Sequence, residues 1–275
     1  MPESRQMFRR VLIGALICGA AANCTRGLFV APAGPGTPAP EAASAWDQAS
    51  RGCRDARSFT AALQASGRVA GTRLWPIAIQ AAVTKDQSIY LSASASGTSL
   101  FVLAGTGNRA TLWLRREQRV VTAAPGEIMA AIIGVALSPD QLLAALTGCG
   151  TRSTDMTRAT RHDNLLSIET PDARVHLESK ASVWKTRAAD TGAFIVEFGW
   201  ASGPLPADLW IWSAPNRQPA ASLHLAVSDG EVNGTIPAGV FQMPAAAATA
   251  TPITLDELRN GIFWKDRVPD SERPR

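Results

Sequence analysis

Between residues 68 and 236 the chain is a succession of short segments in which apolar and polar residues alternate. A period of two is typical of half-buried β-strands, because successive side chains of a strand point to opposite faces of the sheet. Glycine-containing turns separate the segments, and such short connections favour antiparallel pairing. The predicted strands are 68–75, 77–83, 88–95, 99–104 and 109–121, then 164–169, 173–180, 181–187, 193–200, 207–213 and 220–236.

Four helical segments accompany these strands. Helical spacing of apolar residues predicts one helix over 41–65, and a second over 126–133. The sequence Ser138-Pro139-Asp140-Gln141 is a capping box that predicts the start of a third helix, which Gly148 ends. Thr254-Leu255-Asp256-Glu257 is a second capping box and predicts a last helix, which Gly261 ends.

The order of strands and helices indicates the α+β class, mainly β, and one folded domain, because no change of composition divides the two groups of strands. The chain has 275 residues, of which 46% are hydrophobic and 18% charged, so enough apolar material is present for a core. A sheet with this many strands usually curls or closes on itself. The net charge of +4 owes much to the N-terminus, and we expect no nucleic-acid partner.

The N-terminus has the layout of a secretory signal. A basic stretch up to Arg10 precedes an apolar stretch over 11–22, which is too short to span a bilayer. Cleavage could follow Ala22 and give a secreted or soluble periplasmic protein. Alternatively, Cys24 is the acylated N-terminus of a bacterial lipoprotein, which the Pro/Ala-rich stretch after it favours because that stretch would serve as a tether.

The predicted organisation is therefore a signal peptide over 1–23, a tether over 24–45, a folded domain over 46–262 and a flexible tail over 263–275. In this interpretation the protein is an outer-membrane lipoprotein that faces the periplasm.

The number of cysteines agrees with acylation of Cys24. If Cys18 leaves with the signal and Cys24 is acylated, Cys53 and Cys149 remain as an even pair in an oxidising compartment. A metal site or a redox couple is the alternative for this pair. Because the two residues are far apart and form no C-x-x-C motif, we predict a structural disulfide.

The sequence contains few of the motifs that are typical of catalytic sites. Residues 105–110 match a loose dinucleotide-binding pattern, but an alternating strand follows where a helix would be required, so a β-turn is the better interpretation. His176 and His224 lie in alternating strands, where we expect them on the polar face. We predict no enzyme activity, no metal site and no cofactor.

Several short motifs, in order, resemble a known family. They are 66–71 at the first strands, 137–143 with 146–149 around the third helix, Val232-Asn233, and Phe241 with 253–259. Together they resemble bacterial lipoproteins of the LolA/LolB-like superfamily, particularly uncharacterised LolB-like outer-membrane lipoproteins. The resemblance extends from about Trp46 to Gly261.

This resemblance implies a strongly curved, half-open antiparallel β-barrel with helices packed as a lid in its concave face. It also implies an apolar cavity that holds the acyl chains of a lipid or lipoprotein, and a role in lipid or lipoprotein transport. A structural or interaction lipoprotein of the envelope, with a filled core and protein partners, is the alternative. The candidate cavity residues are Leu100, Val102, Leu112, Leu114, Ile128, Ile132, Leu142, Leu146, Phe194, Val196, Trp210 and Trp212.

Overall fold

The computed structural model describes residues 29–69, 71–153, 155–213 and 221–262. The predicted signal peptide, the candidate lipidation site Cys24 and the predicted tail lie outside these residues. The elements described below all belong to the compact unit Pro32–Arg275.

The described strands form a single fifteen-stranded sheet. In chain order they are β1 (Thr37–Pro38), β2 (Ser58–Val69), β3 (Thr72–Thr84), β4 (Ile89–Ala95), β5 (Thr98–Thr106), β6 (Arg109–Leu114), β7 (Arg119–Ala123), β8 (Arg158–His162), β9 (Leu165–Glu169), β10 (Arg174–Lys180), β11 (Val183–Asp190), β12 (Phe194–Trp200), β13 (Pro206–Ser213), β14 (Ala221–Val232) and β15 (Thr251–Pro252).

The sheet is not closed into a barrel. Its strand order is β1-β8-β9-β10-β11-β12-β13-β14-β2-β3-β4-β5-β6-β7-β15, and all neighbours pair antiparallel except β7 and β15. The two edge strands have two residues each, and both contain proline. Short, proline-bearing edges offer few free backbone donors and therefore resist edge-to-edge aggregation. The predicted half-open, antiparallel, mainly β fold is confirmed.

The helix predicted over 41–65 is wrong in its second half. The helix α1 spans Ala42–Arg54, and the chain then enters β2. In β2 the side chains of Phe59, Ala61, Leu63 and Ala65 alternate inward, a pattern that also satisfies part of a helical spacing. Pairing with β14 on one side and β3 on the other decides between the two periods.

Two predicted strands are in fact hairpins. The segment 68–75 contains the turn between β2 and β3, and β3 continues through the segment predicted separately as 77–83. The segment 109–121 is divided by a turn into β6 and β7. Gln118 in that turn has a φ of 50°, a left-handed conformation that ends a strand. The domain also begins earlier than Trp46, because β1 and the start of α1 precede that residue.

The helices pack against the inner face of the sheet. Besides α1 these are α2 (Pro125–Ile133), α3 (Pro139–Leu146) and the short α4 (Leu255–Glu257). α1 lies against β9 to β11, α3 against β2, β3 and β13, and α2 against β6 and β7. Their apolar side chains and those of the inner face form one continuous core. Both predicted capping boxes are present, since Ser138 Oγ accepts from Gln141 N–H and Thr254 Oγ1 accepts from Glu257 N–H.

Three connections fasten α1 to the rest of the domain. Arg161 donates to the carboxylate of Glu41 at the start of the helix, and the backbone N–H of Trp184 donates to Gln48 Oε1 at 3.0 Å. Cys53 in the last turn forms a disulfide with Cys149, with Cα atoms 6.0 Å apart. The predicted disulfide is confirmed, and it joins α1 to the chain that follows α3.

The chain after β14 is tied back to the same region. Asn233 Oδ1 accepts from the backbone N–H of Arg57 at 2.6 Å, and Asn233 Nδ2 donates to the carbonyl of Asp55 at 3.0 Å. The amide therefore bridges the connection between α1 and β2. After it come two 3₁₀ turns, Ala238–Phe241 and Ala245–Thr249, then β15 and α4, and finally a single π turn, Leu258–Ile262.

His176 is buried, contrary to the expectation that it lies on a polar face. It points away from the core that contains Val175 and Leu177, yet only 2% of it is exposed. Its Nδ1 lies 3.0 Å from the hydroxyl oxygen of the buried Ser167. Burial, with a smaller contribution from Arg174, lowers the pKa of His176 to about 4.

Removal of the disulfide is expected to destabilise the fold strongly. The double variant Cys53→Ser/Cys149→Ser should lose about 4–5 kcal/mol in the chain-entropy model, because the bond closes a long loop of the unfolded chain. Urea unfolding followed by circular dichroism measures the loss. Reductant should lower the midpoint of the native protein and leave that of the double variant unchanged; an equal response of both would contradict the assignment.

The burial of His176 also predicts a pH dependence of stability. Since the folded pKa of His176 is lowered from its ordinary value of 6.5 to about 4, the unfolded chain binds the extra proton first. Stability should be level above about pH 6.5 and fall by about 2 kcal/mol towards pH 4.5. Urea unfolding at several pH values measures this slope. His176→Gln should flatten it, whereas the control His162→Gln should not.

Candidate functional site

An apolar cavity lies between the inner face of the sheet and the helices α2 and α3. Its volume is about 60 Å³, and every residue along its wall is apolar. The sheet side is formed by β2 to β5, β13 and β14, and the helix side by α2, α3 and the segment between them. The wall residues are Leu63, Ala65, Leu74, Ile77, Ile79, Leu91, Phe101, Met129, Ile132, Ile133, Leu137, Leu142, Ile211, Leu223 and Leu225.

β2 carries small residues on its inner face beside the cavity. Ala65 contributes only a methyl group to the wall. Gly67, the next inward position, has a φ of 140°, and a Cβ there would lie 2.0 Å from the carbonyl oxygen of Ser222. No larger residue fits at that position, because the backbones of β2 and β14 approach too closely.

The helix side of the cavity ends one helix and begins the next. α2 stops at Gly134, whose φ of 75° is the left-handed conformation typical of a helix C-cap. Leu137 then closes the cavity, and Ser138 caps α3. The cover over the cavity is thus two short helices, of nine and eight residues, joined by a glycine-containing turn.

The cavity and the disulfide lie towards opposite ends of the sheet. The end that carries the β2–β3 turn, here called the hairpin end, also carries the β4–β5 and β6–β7 turns, because the strands alternate in direction. Leu74 and Leu223 bring the cavity to this end. Cys53 and Cys149 border a cleft with Lys85 of the β3–β4 turn, which lies at the other end, here called the disulfide end.

Two clefts exceed the apolar cavity in volume but differ from it in chemistry. The cleft beside the disulfide has about 490 Å³ and includes Lys85, Asp140 and Arg152 in its wall. Another, of about 620 Å³, includes Asp86 and several hydroxyl side chains. These walls are of mixed polarity, whereas an apolar ligand is held by a wall without unpaired polar groups. The apolar cavity is therefore the candidate site for such a ligand.

The structure places the predicted cavity residues in three different environments. Ile132 and Leu142 line the cavity. Seven others are buried in the same core but are not part of the wall: Leu100, Leu112, Leu114, Ile128, Leu146, Phe194 and Val196. Val102 belongs to a small separate cluster on the other face of the sheet, where Ala247 and Ala250 of the second 3₁₀ segment cover it.

Trp210 and Trp212 do not face the cavity. In β13 it is Leu209 and Ile211 that point into the core, so the two tryptophans point to the outer face and are half-buried. Trp210 stacks on His224 there, with ring centroids 5.0 Å apart. Because both alternating sets of β13 are apolar, hydrophobicity does not distinguish them. Asp208 points to the same face as the two tryptophans, and its charge is the sequence signal that marks this face as the outer one.

Sequence reasoning missed much of the wall on β2, β3 and β14. The sequence pattern predicts a helix for Leu63 and Ala65 and separate strands for Leu74 and Ile77, so it indicates no common face for these wall residues. The sheet register forms this part of the wall, because it places Ala65 opposite Ile77 on one side and opposite Leu225 on the other.

Two other kinds of feature, a metal-binding cluster and a membrane-spanning helix, are absent from the described residues. No group of three or more histidine, cysteine or acidic side chains is placed to hold a metal ion in the described part of the chain. Within the same residues, none of the helices combines the length and apolar character needed to cross a membrane.

Comparison with known proteins gives matches among solved structures. No family model and no curated protein matches the chain. A LolA superfamily protein from Nitrosomonas europaea is similar with a TM-score of 0.47 and 13% identity, over 73% of this chain and 96% of that one. A lipoprotein-sorting protein domain from Vibrio parahaemolyticus gives 0.41 and 7%, over 73% and 93%. The lipoprotein LppX of Mycobacterium tuberculosis gives 0.32 and 12%, over 73% and 99%.

Truncation of one wall residue should report on the cavity. Leu142→Ala is expected to cost about 2 kcal/mol of unfolding free energy, because that side chain already borders empty space and has fewer contacts to lose. Leu146→Ala, in the same helix but away from the wall, should cost about 4 kcal/mol. Urea unfolding of both variants measures the difference. Equal costs would contradict the presence of the cavity.

Proposed function

We propose that the protein binds the acyl chain of a lipid or lipoprotein between its sheet and its helices. The observation that carries this proposal is the wholly apolar wall, which offers a ligand burial and no hydrogen bond. Burial contributes about 0.8 kcal/mol for each methylene group removed from water, so a long acyl chain would gain substantial affinity even after its ordering costs. The resemblance in sequence to lipid- and lipoprotein-handling proteins agrees with this chemistry.

Binding requires the cover to move. The cavity of about 60 Å³ is far below the roughly 300–1,000 Å³ of ordinary ligand pockets, so the described conformation is a closed one. The mobile part would be α2, the turn after Gly134 and the start of α3, since the chain after α3 is held by the disulfide at Cys149. An outward shift of these helices would lengthen the cavity towards the hairpin end.

The proposed setting is the cell envelope. Acylation of Cys24 would anchor the domain in the outer membrane, and the residues between Cys24 and β1 would let it stand away from the surface. Two acyl chains on one cysteine suffice for stable anchoring. Lipid or lipoprotein transport to the outer membrane, with envelope proteins as partners, is the process that such a binder would serve.

A second candidate function is a structural or interaction lipoprotein with a filled core. The small volume of the cavity favours this alternative, because a packed interior normally contains only a few voids of this size. In that case the same fold would present its outer surface to protein partners and would bind no lipid.

Lipid uptake distinguishes the two functions. The protein purified from a bacterial periplasm should carry acyl-chain lipid that native mass spectrometry and extraction detect, and it should bind a fluorescent fatty acid that unlabelled fatty acid displaces. Ala65→Leu, which fills the cavity from β2, should abolish this binding at an overpacking cost of about 1–3 kcal/mol. Ala61→Leu, a buried position of the same strand outside the wall, is the matched control and should retain binding. An apo mass that no lipid changes would establish the filled core.

A further inference from the structure

The outer face of the hairpin end carries a row of aromatic and basic side chains. Four residues on four adjacent strands stand directly opposite one another in the register: Trp212 of β13, Ser222 of β14, Arg68 of β2 and Arg73 of β3. Arg68 and Arg73 are both exposed. This row together with Trp75 is called the Trp–Arg face below.

The pairing of Arg68 with Arg73 has no stabilising role in the sheet. Like charges that face each other across a strand pair destabilise it. Among the described residues neither guanidinium has a carboxylate partner; Arg68 donates only to the carbonyl of Gly71 at 3.1 Å, and Arg73 lies over the ring of Trp75 at 4.9 Å. On the same outer face, Asp208 of β13 is paired with His224, at 2.7 Å. The two charges therefore remain available to an external anion.

A β-bulge directs Trp75 into solvent. Trp75 and Pro76 together oppose Ser66, because Leu74 pairs with Gly67 and Ile77 with Ala65. Such a bulge re-aims a side chain and accommodates a proline within a strand. With 46% of its surface exposed, Trp75 is the largest apolar side chain exposed among the residues that the structure describes. Packing within the domain does not account for this exposure.

We propose that the Trp–Arg face docks on the surface of a bilayer that contains anionic phospholipids. Tryptophan favours the headgroup region of a membrane, and each arginine near an anionic surface is attracted to it through screened electrostatics. The row spans four adjacent strands of the outer face, so its side chains can contact one surface together. An acidic protein partner would also satisfy the two arginines, but it would give no reason for the exposed indole beside them.

This proposal deepens the proposed function and rests on it for its purpose. The same strand ends that carry the Trp–Arg face outside line the cavity inside, through Leu74, Ile77, Ile211 and Leu223. Docking would bring the hairpin end to the membrane. The cavity would open at that end, so an acyl chain could enter it directly from the bilayer. The disulfide end would point away from the membrane.

Cosedimentation with vesicles tests the docking. The full chain with Cys24→Ser, which removes the proposed anchor, should sediment with phosphatidylcholine–phosphatidylglycerol vesicles at low ionic strength and not with phosphatidylcholine alone. Arg68→Gln/Arg73→Gln should lower the partition coefficient by roughly tenfold or more, and salt should weaken the binding of the parent protein. Trp75→Ser should lower it as well, whereas Val183→Ser, another exposed apolar position, should not.

The matched charge control is Arg57→Gln/Arg109→Gln. Both arginines are exposed and lie at the disulfide end, so the variant has the same net charge but an intact Trp–Arg face. It should sediment like the parent protein. An equal loss in both double variants would show that net charge alone governs binding, and no sedimentation with anionic vesicles would leave the acidic protein partner; either result overturns the proposal.

Uptake of soluble fatty acid separates this proposal from the function on which it rests. Arg68→Gln/Arg73→Gln should take up fluorescent fatty acid like the parent protein, and Ala65→Leu should sediment with vesicles like the parent protein. If vesicle binding fails while uptake persists, the docking face is wrong and lipid binding stands. If uptake fails while vesicle binding persists, the cavity proposal is wrong and the docking stands.

Discussion

The insertion of β2 between β14 and β3 is the interaction on which the rest of the domain depends. β2 is the first long strand of the chain, yet it lies at the middle of the sheet, with twelve residues of its own and thirteen in β3. Its pairing with β14 is the longest of the pairings that join strands before α2 and α3 to strands after them. Since β14 ends the second half, this pairing forms only after nearly the whole chain is available, and such long-range pairing makes folding slow.

The strand β2 also contributes to both proposed sites, the apolar cavity and the Trp–Arg face. On its inner face Leu63 and Ala65 form part of the cavity wall, and Gly67 permits the close approach of β14. On its outer face Arg68 stands opposite Arg73. A shift of register by one residue would exchange these faces, so that charges would enter the core and the cavity wall would face solvent. The register is therefore as strongly determined by the interior as by the backbone hydrogen bonds.

The two ends of the sheet differ in how firmly they are closed. At the disulfide end, α1, the chain after α3 and the connection into β2 are held by a covalent bond and by the amide of Asn233. At the hairpin end, the cavity is covered by two short helices and a turn, held mainly by apolar contacts, with one ion pair at 2.7 Å between Asp140 of α3 and Arg152. Apolar contacts are non-directional and tolerate sliding better than a disulfide does. This asymmetry gives the proposed opening a direction, and the Trp–Arg face lies at the end that opens.

The fold class and most element types could be predicted from the sequence, because they depend on local periodicity and on capping residues. Alternation predicts most of the strands, the two capping boxes mark the helices at Ser138 and Thr254, and the number and spacing of the cysteines predict the disulfide. Each of these signals lies within a few residues or in a simple count, so no tertiary information was needed.

The tertiary structure decided which face of each strand is inside and where the void lies. The run Leu209-Trp210-Ile211-Trp212 is apolar on both faces, so its hydrophobicity does not show which face is inside, and in the folded sheet the tryptophans lie on the outer face. Phe59 and Leu63 have a spacing that also fits a helix, but in the structure they belong to β2, which is paired on both sides. The opposition of Arg68 and Arg73 arises from the hairpin register at the β2–β3 turn, and the bulge beyond Leu74 exposes Trp75 beside them. These features depend on contacts between residues that are distant in sequence. Local periodicity cannot predict them, because it reflects only neighbouring residues.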